Sequence, residues 1–269
     1  MKLLRHGDAI APGMYKLHSA FDTAVNFERN GSIVSAVLPE PDGAGAGPVN
    51  MVFDDIEPLK TAAGLAVTPD SFAFPSGIFR READSRYNSA LILPGGGFRR
   101  ITQSLPLIKK TLLECAPGKS LAVLLDPGRE HNFTAAFDAA FLARAKENLA
   151  AGNLAGFKGL GAGLTPAGDD FITGVLCGLG AAAAGGTPNT VRRSEILKSA
   201  LGGNPLSNTF LRCAAQGRYF ARFKTMLETA AEEDAAALAP LVQAAVNFGN
   251  TSGADTLAGL VCYFEGRFK

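Results

Sequence analysis

Residues 159–174 read GLGAGLTPAGDDFITG, and this stretch decides how the second half of the chain is interpreted. Thr165 is a suitable N-cap, and Pro166 suits the first position of a helix. The glycines before them permit positive φ angles and let another group approach the backbone closely. Because a helix start presents unpaired N–H groups and a partial positive charge, the segment predicts a helix start that binds a carboxylate or phosphate.

Residues 249–259 read GNTSGADTLAG and repeat this pattern. With one residue deleted after the threonine, the segments agree at six positions: Gly163 with Gly249, Thr165 with Thr251, Gly168 with Gly253, Asp170 with Asp255, Ile172 with Leu257 and Gly174 with Gly259. Each predicted helix carries an aspartate in its first turns and, four residues later, a glycine on the same face, where another backbone can pack closely. The repetition favours a shared function. The alternative is that the aspartates only complement the helix dipole and the glycines only serve helix packing.

The residues predicted to form a small-ligand site come mainly from these two segments. Three carboxylates are the candidates for chemistry: Asp169, Asp170 and Asp255. The candidates for ligand contact are glycines and hydroxyls of both segments: Gly161, Gly163, Thr165, Gly168, Thr251, Ser252 and Gly253. Ser207 is a further candidate from a segment that begins at Asn204, although an ordinary helix capped by Ser207 or Asn208 is the alternative. His18, where the strand-rich part begins, is the last candidate, and a structural histidine is its alternative.

The two halves of the chain differ in pattern. Up to about residue 130, short apolar or alternating runs predict strands at 23–28, 32–38, 49–53, 90–93 and 121–125, with one helix at about 105–115. Asn30-Gly31 predicts a hairpin turn. After residue 130, helical periodicity predicts helices from 133 to about 152 and near 168–182, 194–201, 207–216, 219–231, 232–248 and 254–266. Pro240 is expected to kink or split the helix at 232–248.

This order of elements predicts an α+β fold. The strand-rich N-terminal half is expected over residues 1–130, and the all-helical C-terminal half, with its glycine-rich helix starts, over residues 131–269. The paired G-x-D-x-[IL]-x-G motifs lie in the helical region.

Composition limits the classes of function. The 269 residues are 47% hydrophobic and 19% charged, which is typical of a globular protein. A net charge of +1 provides no field that would attract nucleic acid. No segment predicts a signal peptide or a membrane span, so we expect a cytoplasmic protein that contacts neither nucleic acid nor membrane. The apolar helices and near-neutral charge favour an oligomer.

Familiar catalytic and cofactor motifs are missing from the sequence. The four cysteines form no C-x-x-C pair, so neither a disulfide framework nor a zinc site is predicted. The sequence also contains no complete P-loop, no dinucleotide-binding fingerprint opening a helix and no G-x-S-x-G nucleophile elbow.

With GLGAGLTPAGDDF from Gly159 and TSGADxLAG from Thr251, the chain resembles a bacterial family long described as of unknown function. That family includes the AllH-type subunit of oxamate carbamoyltransferase, from purine (allantoin) catabolism under anaerobic conditions. The pair His18-Ser19 with Ala24-Val25-Asn26 is similar as well, and so is the segment 207–217. The resemblance spans roughly residues 15–265, and it departs from the family at Asn204-Pro205, where a threonine-rich lead-in is expected.

The resemblance implies a transferase subunit that acts with other subunits on carbamoyl phosphate and a small amide-bearing acid. In this hypothesis the helix starts at Thr165 and Thr251 hold phosphate, and Asp170 and Asp255 accept amide or amine N–H groups. One of the carboxylates would act as the base on the attacking nitrogen, and backbone N–H donors would steady the tetrahedral oxyanion.

Carboxylates near phosphate would repel it unless a magnesium ion bridges them, so Mg²⁺ is the one cofactor considered. Two alternatives stay open. One is a non-catalytic metabolite-binding or scaffold subunit, and the other is a Mg²⁺-dependent hydrolase or lyase.

Overall fold

A computed structural model describes residues 1–43 and 45–268. Ala44, in the predicted strand-rich region, and Lys269, at the end of the predicted helical region, lie outside the described residues. The chain divides into two compact units. The first contains Met1–Ala90 and Arg218–Lys224, and the second contains Leu91–Gly217 and the chain from Thr225 onward. Residue 130, as a boundary between domains, stays a prediction.

The first unit is built on a sheet. Its strands are β1 Leu3–Gly7, β2 Gly13–Ala20, β3 Ala24–Arg29, β4 Ser32–Val37, β5 Asn50–Phe53, β6 Gly64–Val67, β7 Ser71–Phe74, β8 Gly77–Arg80 and β9 Arg86–Tyr87. Across residues 1–43 and 45–268 they form one nine-stranded sheet in the order β8-β7-β6-β2-β3-β4-β5-β1-β9. The pairs β4–β5 and β1–β9 are parallel. Alternate residues of the central strands, among them Phe27, Val34 and Phe53, form the apolar core of this unit.

The predicted hairpin is confirmed. Strands β3 and β4 pair antiparallel up to Arg29 and Ser32. Asn30 and Gly31, which connect them, have φ angles of 53° and 70°. Positive φ at both central residues is what a type I′ hairpin turn requires, and Asn-Gly is one of the residue pairs that such turns prefer.

Two predicted strands are wrong. Residues 121–125 contain instead a 3-10 helix, Leu121–Leu124, whose first three residues are buried. A short apolar run of this kind does not distinguish a strand from a buried helical turn, because both bury every residue. Residues 90–93 form no strand, and a single bridge pairs Ala90 with Arg218.

The helices are α1 Gly97–Cys115, α2 Ala136–Ala150, α3 Ala167–Ala184, α4 Thr190–Ala200, α5 Pro205–Ala215, α6 Ala221–Glu232, α7 Ala235–Val246 and α8 Ser252–Phe264. Each predicted helix is present, although α1 begins at Gly97 rather than near residue 105. Pro240 does not split α7, which continues through it. In the part of the chain that the structure describes, no helix is both long and apolar enough to cross a membrane.

Strands thus predominate in the N-terminal half and helices in the C-terminal half, which confirms the α+β class. In the second unit, α3 and α8 are buried along most of their length and pack against each other. Helix α5 packs along α3 on another side. The two motifs therefore lie at the starts of the central helix pair of this unit.

Candidate functional site

The last glycine of each motif faces the backbone of the other helix. A β-carbon added to Gly174 would lie 1.8 Å from the carbonyl oxygen of Thr256 in α8. One added to Gly259 would lie 2.0 Å from the carbonyl oxygen of Phe171 in α3. No side chain fits at these distances, so the close backbone packing predicted for these glycines is confirmed.

The first glycine of each motif packs in a similar way against the segment that precedes it. β-carbons at Gly168 and Gly253 would lie 1.8 Å and 2.0 Å from backbone carbonyl oxygens. Their N–H groups are paired as well, since Gly168 donates to Leu160 at 2.8 Å and Gly253 to Phe248 at 2.9 Å. Both glycines were predicted to contact a ligand, and in the structure they fix the helix starts in place.

The two helix starts meet through hydroxyl groups. Thr165 Oγ1 lies 2.9 Å from Ser252 Oγ and also donates to Asp170 Oδ2 at 3.0 Å. The prediction that Thr165 caps α3 is wrong, because Pro166 occupies the N-cap position and no side chain caps the helix. The Thr165 hydroxyl is instead directed across to α8, where it joins the lead-in of one helix to the first residue of the other.

Asp170 lies behind these hydroxyls and is 5% exposed. Burial raises the pKa of Asp170 well above its ordinary value. A hydrogen bond from Ser252 opposes this shift, the charge of Asp255 adds to it, and the hydrogen bond from Thr165 opposes it. The carboxyl therefore keeps its proton to a higher pH than an ordinary aspartate, and when protonated it can donate a hydrogen bond.

Asp255, the equivalent residue of α8, is fully buried. Its Oδ1 accepts the Leu121 N–H at 2.6 Å. Its Oδ2 is buried and has no hydrogen-bond partner among the described residues. Burial raises the pKa of Asp255 to about 7, against the effect of hydrogen bonds from Leu121 and the Thr251 hydroxyl. One carboxyl oxygen at the base of the site thus lacks the partner that buried polar atoms ordinarily have.

Asp169 holds the glycine-rich loop, residues 159–166. Its Oδ1 accepts the Gly159 N–H at 2.7 Å, and its side chain is buried. Further along the loop, Gly161 and Gly163 have φ angles of 106° and 114°. The positive φ angles predicted for this loop are confirmed, and Asp169 anchors the point where the loop begins.

A third helix start joins the loop. Asn204 caps α5, because its Oδ1 accepts the N–H groups of Leu206 at 3.0 Å and Ser207 at 3.2 Å. The prediction that Ser207 or Asn208 caps this helix is therefore wrong. The Asn204 Nδ2 donates to the Leu164 carbonyl at 2.6 Å, next to Thr165.

Sequence reasoning missed Asn204 as a member of the site. The signal was present, since asparagine directly before proline at a helix start is a typical arrangement of N-cap and first helical residue.

The hydroxyl groups of the candidate site are more exposed to solvent than its two carboxyl groups. Thr165, Thr251 and Ser252 are half-buried, while Asp170 and Asp255 lie beneath them. A ligand would meet the hydroxyl groups first, and the carboxyls would position those hydroxyls from below. The structure thus brings together both aspartates and the hydroxyls of both segments.

His18 belongs to the first unit, on β2, and is exposed. Its Nδ1 lies 3.0 Å from Ser19 Oγ, and Ser19 Oγ accepts a hydrogen bond from Asn26 at 3.1 Å. The register of β2 against β3 shifts between Leu17 and Ser19. Such a bulge interrupts the alternation of side chains along β2, so that the adjacent side chains of His18 and Ser19 can contact each other.

Over residues 1–43 and 45–268, no group of three or more His, Cys, Asp or Glu side chains is arranged to hold a metal ion.

Comparison with known protein families gives a match. Residues 157–264 match the family model described as oxamate carbamoyltransferase subunit AllH. No curated protein and no solved structure gave a match. The matched segment contains the glycine-rich loop, both motifs and the start of α5. The part of the chain that builds this site therefore matches the AllH family, which confirms over residues 157–264 the resemblance inferred from the two motifs.

Proposed function

We propose that this protein is a subunit of a carbamoyltransferase-type enzyme and that the starts of α3 and α8 form its ligand site. The observation that carries the proposal is the buried Asp170 carboxyl behind the hydrogen-bonded hydroxyls of Thr165 and Ser252. The family match covers the segment that contains all three residues and supplies the class of reaction.

The raised pKa values ease a conflict between the carboxyls and a phosphate ligand. An ionised carboxylate repels phosphate, but a protonated one is neutral and donates a hydrogen bond. Burial raises the pKa of Asp170 and of Asp255, the latter to about 7. Carbamoyl phosphate is therefore a compatible ligand even without a bridging metal ion.

The proposed reaction joins an amide or amine nitrogen to the carbonyl carbon of carbamoyl phosphate. As the new C–N bond forms, the bond from that carbon to the phosphate oxygen breaks, and inorganic phosphate leaves with the electron pair. The Thr165 and Ser252 hydroxyls would bind ligand oxygens. Asp170, once ionised, would accept the proton of the attacking nitrogen, and because burial raises its pKa, it would be a stronger base than an ordinary aspartate.

Other subunits are the proposed partners. The matched family is described as a subunit, so the complete catalytic centre would include residues of other chains. We therefore expect transfer activity only when the partner subunits are present.

A metabolite-binding subunit without catalytic activity is the second candidate. The observation that favours it is the complete burial of Asp255, whose Oδ1 is bound to the Leu121 N–H. A carboxyl placed in this way can fix the start of α8 without touching a substrate. Activity measurements with the partner subunits separate the two candidates.

The first experiment is thermal unfolding of the wild type and Asp170→Asn with carbamoyl phosphate, oxamate or phosphate, each with and without Mg²⁺. A ligand at a hundred times its Kd adds about 2.7 kcal/mol to the free energy of unfolding, which is readily measured. We expect a shift in the wild type, none in Asp170→Asn, and the wild-type shift in Asp84→Asn, an exposed control. No shift of the wild type with any ligand would contradict the proposed site.

The second experiment measures carbamoyl transfer by the enzyme assembled with its partner subunits. Transfer by the wild-type assembly, together with its loss in Asp170→Asn, would support the catalytic candidate. Full transfer in Asp170→Asn would leave the metabolite-binding candidate.

A further inference from the structure

We propose that Ser207 in α5 contacts the ligand of this site and donates its hydroxyl to an oxyanion oxygen, of a carboxylate or a phosphate. The inference rests on the proposed function and extends the site from two helix starts to three. It assigns a direct role to a side chain that neither caps its helix nor forms a hydrogen bond with another of the described residues.

The Ser207 hydroxyl is buried without a partner. The residue is 2% exposed, and its Oγ has no hydrogen-bond partner among the described residues. The polar side chain that follows it is satisfied, since Asn208 bonds both the N–H and the carbonyl of Gly202. An unpaired buried hydroxyl costs free energy, so a ligand that supplies its partner would gain affinity at this position.

Contacts further along α5 show which way this hydroxyl faces. The Phe210 ring packs edge-on against Phe248, with ring centroids 6.4 Å apart. Ser207 lies three residues before Phe210 and therefore on the same side of the helix. Phe248 lies four residues before Ser252, the first residue of α8, and its carbonyl accepts the Gly253 N–H. This side of α5 thus faces the lead-in to α8.

Asn204, at the start of α5, contacts the loop that precedes α3. Its Nδ2 donates to the Leu164 carbonyl, so the first turn of α5 lies beside the loop that carries Thr165. Ser207 stands within one turn of Asn204. It therefore lies between the lead-in to α3 on one side and the lead-in to α8 on the other.

The chemistry of this position favours an oxyanion. Three helix starts meet here, and each contributes a partial positive charge. Thr165, Ser252 and Ser207 bring hydroxyl groups to this region, and burial raises the pKa of Asp170, so this carboxyl keeps its proton to a higher pH than an ordinary aspartate. A carboxylate and a phosphate share this chemistry, and separate titrations with oxamate and with inorganic phosphate distinguish them.

The experiment titrates the full-length protein with inorganic phosphate and, separately, with oxamate, and follows binding by calorimetry. Ser207→Ala is expected to lower the affinity for the probe that binds by about tenfold. In the absence of probe, its Tm should equal or exceed that of the wild type, because the variant removes an unpaired buried hydroxyl. Ser207→Cys, which keeps the volume but donates weakly, should lose affinity in the same way.

Ser199→Ala is the matched control. Ser199 is an exposed serine of α4 whose hydroxyl donates to the Ile196 carbonyl. Its replacement should change neither affinity nor Tm by a comparable amount.

The outcomes separate the inference from the function on which it rests. Unchanged affinity in Ser207→Ala, together with lost binding in Asp170→Asn, would overturn the role of Ser207 and leave the site in place. A lowered Tm with unchanged affinity would assign Ser207 a structural role and overturn the inference as well. Failure of the wild type to bind either probe would overturn both.

Discussion

The side-chain hydroxyls of Thr165 and Ser252 lie 2.9 Å apart, although 87 positions separate the two residues in the sequence. One belongs to the lead-in of α3 and the other is the first residue of α8. Because Thr165 also donates to Asp170, the orientation of that carboxyl depends on both helices. Any change in the distance between α3 and α8 would therefore alter the positions of the groups that contact a ligand bound by these hydroxyls.

The first prediction concerns Thr165→Val, which preserves shape and removes the hydroxyl. Asp170 would lose a donor, so we expect the free energy of unfolding to fall by about 1–2 kcal/mol. Urea unfolding at pH 7 measures the change. Thr165→Ser keeps the hydroxyl and should stay close to the wild type. Equal stability of the two variants would show that the bond to Asp170 does not matter for stability.

The second prediction concerns the glycines between the helices. Gly174→Ala and Gly259→Ala would each place a β-carbon against a backbone oxygen, at 1.8 Å and 2.0 Å. We expect each to destabilise the protein by about 3 kcal/mol or more, because two backbones would have to separate. Helix propensity alone predicts that both substitutions stabilise the protein, since alanine is favoured over glycine in a helix by about 1 kcal/mol. Gly95→Ala, at a position with open space around it, is the control.

The third prediction concerns pH. Burial raises the pKa of Asp255 from an ordinary 3.8 to about 7 in the folded protein. As pH rises from about 4 to about 7, the unfolded chain therefore loses this proton first, and the free energy of unfolding falls. A shift of this size corresponds to roughly 4 kcal/mol over the window. Asp170 contributes with the same sign, because burial raises its pKa as well.

Asp255→Asn isolates this contribution. The amide does not titrate, and its oxygen can still accept the Leu121 N–H. The difference in unfolding free energy between wild type and variant should therefore shrink or reverse as pH rises from 5 to 7.5. A difference that stays constant across this range would show that Asp255 has the same pKa in both states.

The fourth prediction separates the two roles of Asn204. Asn204→Ala removes both the cap of α5 and the bond to Leu164, and should cost about 1–2 kcal/mol. Asn204→Asp keeps the cap and loses only the donor, so the loss of stability should be smaller. Denaturant unfolding gives both values. If the two variants are equally unstable, the bond to Leu164 and not the cap holds the start of α5.

The repeated helix starts could be predicted from the sequence because their requirements are local. The glycine spacing and the aspartate in the first turns predicted the bounds of α3 and α8 to within a few residues. The close approach of Gly174 and Gly259 to another backbone followed from the same spacing. The partner of each glycine did not follow, because nothing within one motif indicates that it packs against the other.

Several of the misses concern contacts with residues distant in the sequence. Strand β1 pairs with β5 and β9, and its short sequence has no clear alternation of its own. The run at 121–125 is apolar because it is buried around the contact with Asp255, which lies 134 positions away. The capping role of Asn204 was local and readable, but its bond to Leu164 was not.

The glycine contacts between α3 and α8 have a mechanical consequence. At Gly174 and at Gly259, the absence of a side chain lets the backbone of the other helix approach closely. A sliding or rolling movement of one helix against the other would therefore produce a steric clash. Asp170 in α3 and Asp255 in α8 are therefore held by a closely packed helix pair. The distance between them is set by main-chain contacts and not by adjustable side chains. If these helix starts form the proposed ligand site, the distance between them is fixed, and only a ligand of matching size would fit. Selectivity at this site would accordingly be decided by the size of the ligand before any hydrogen bond is formed.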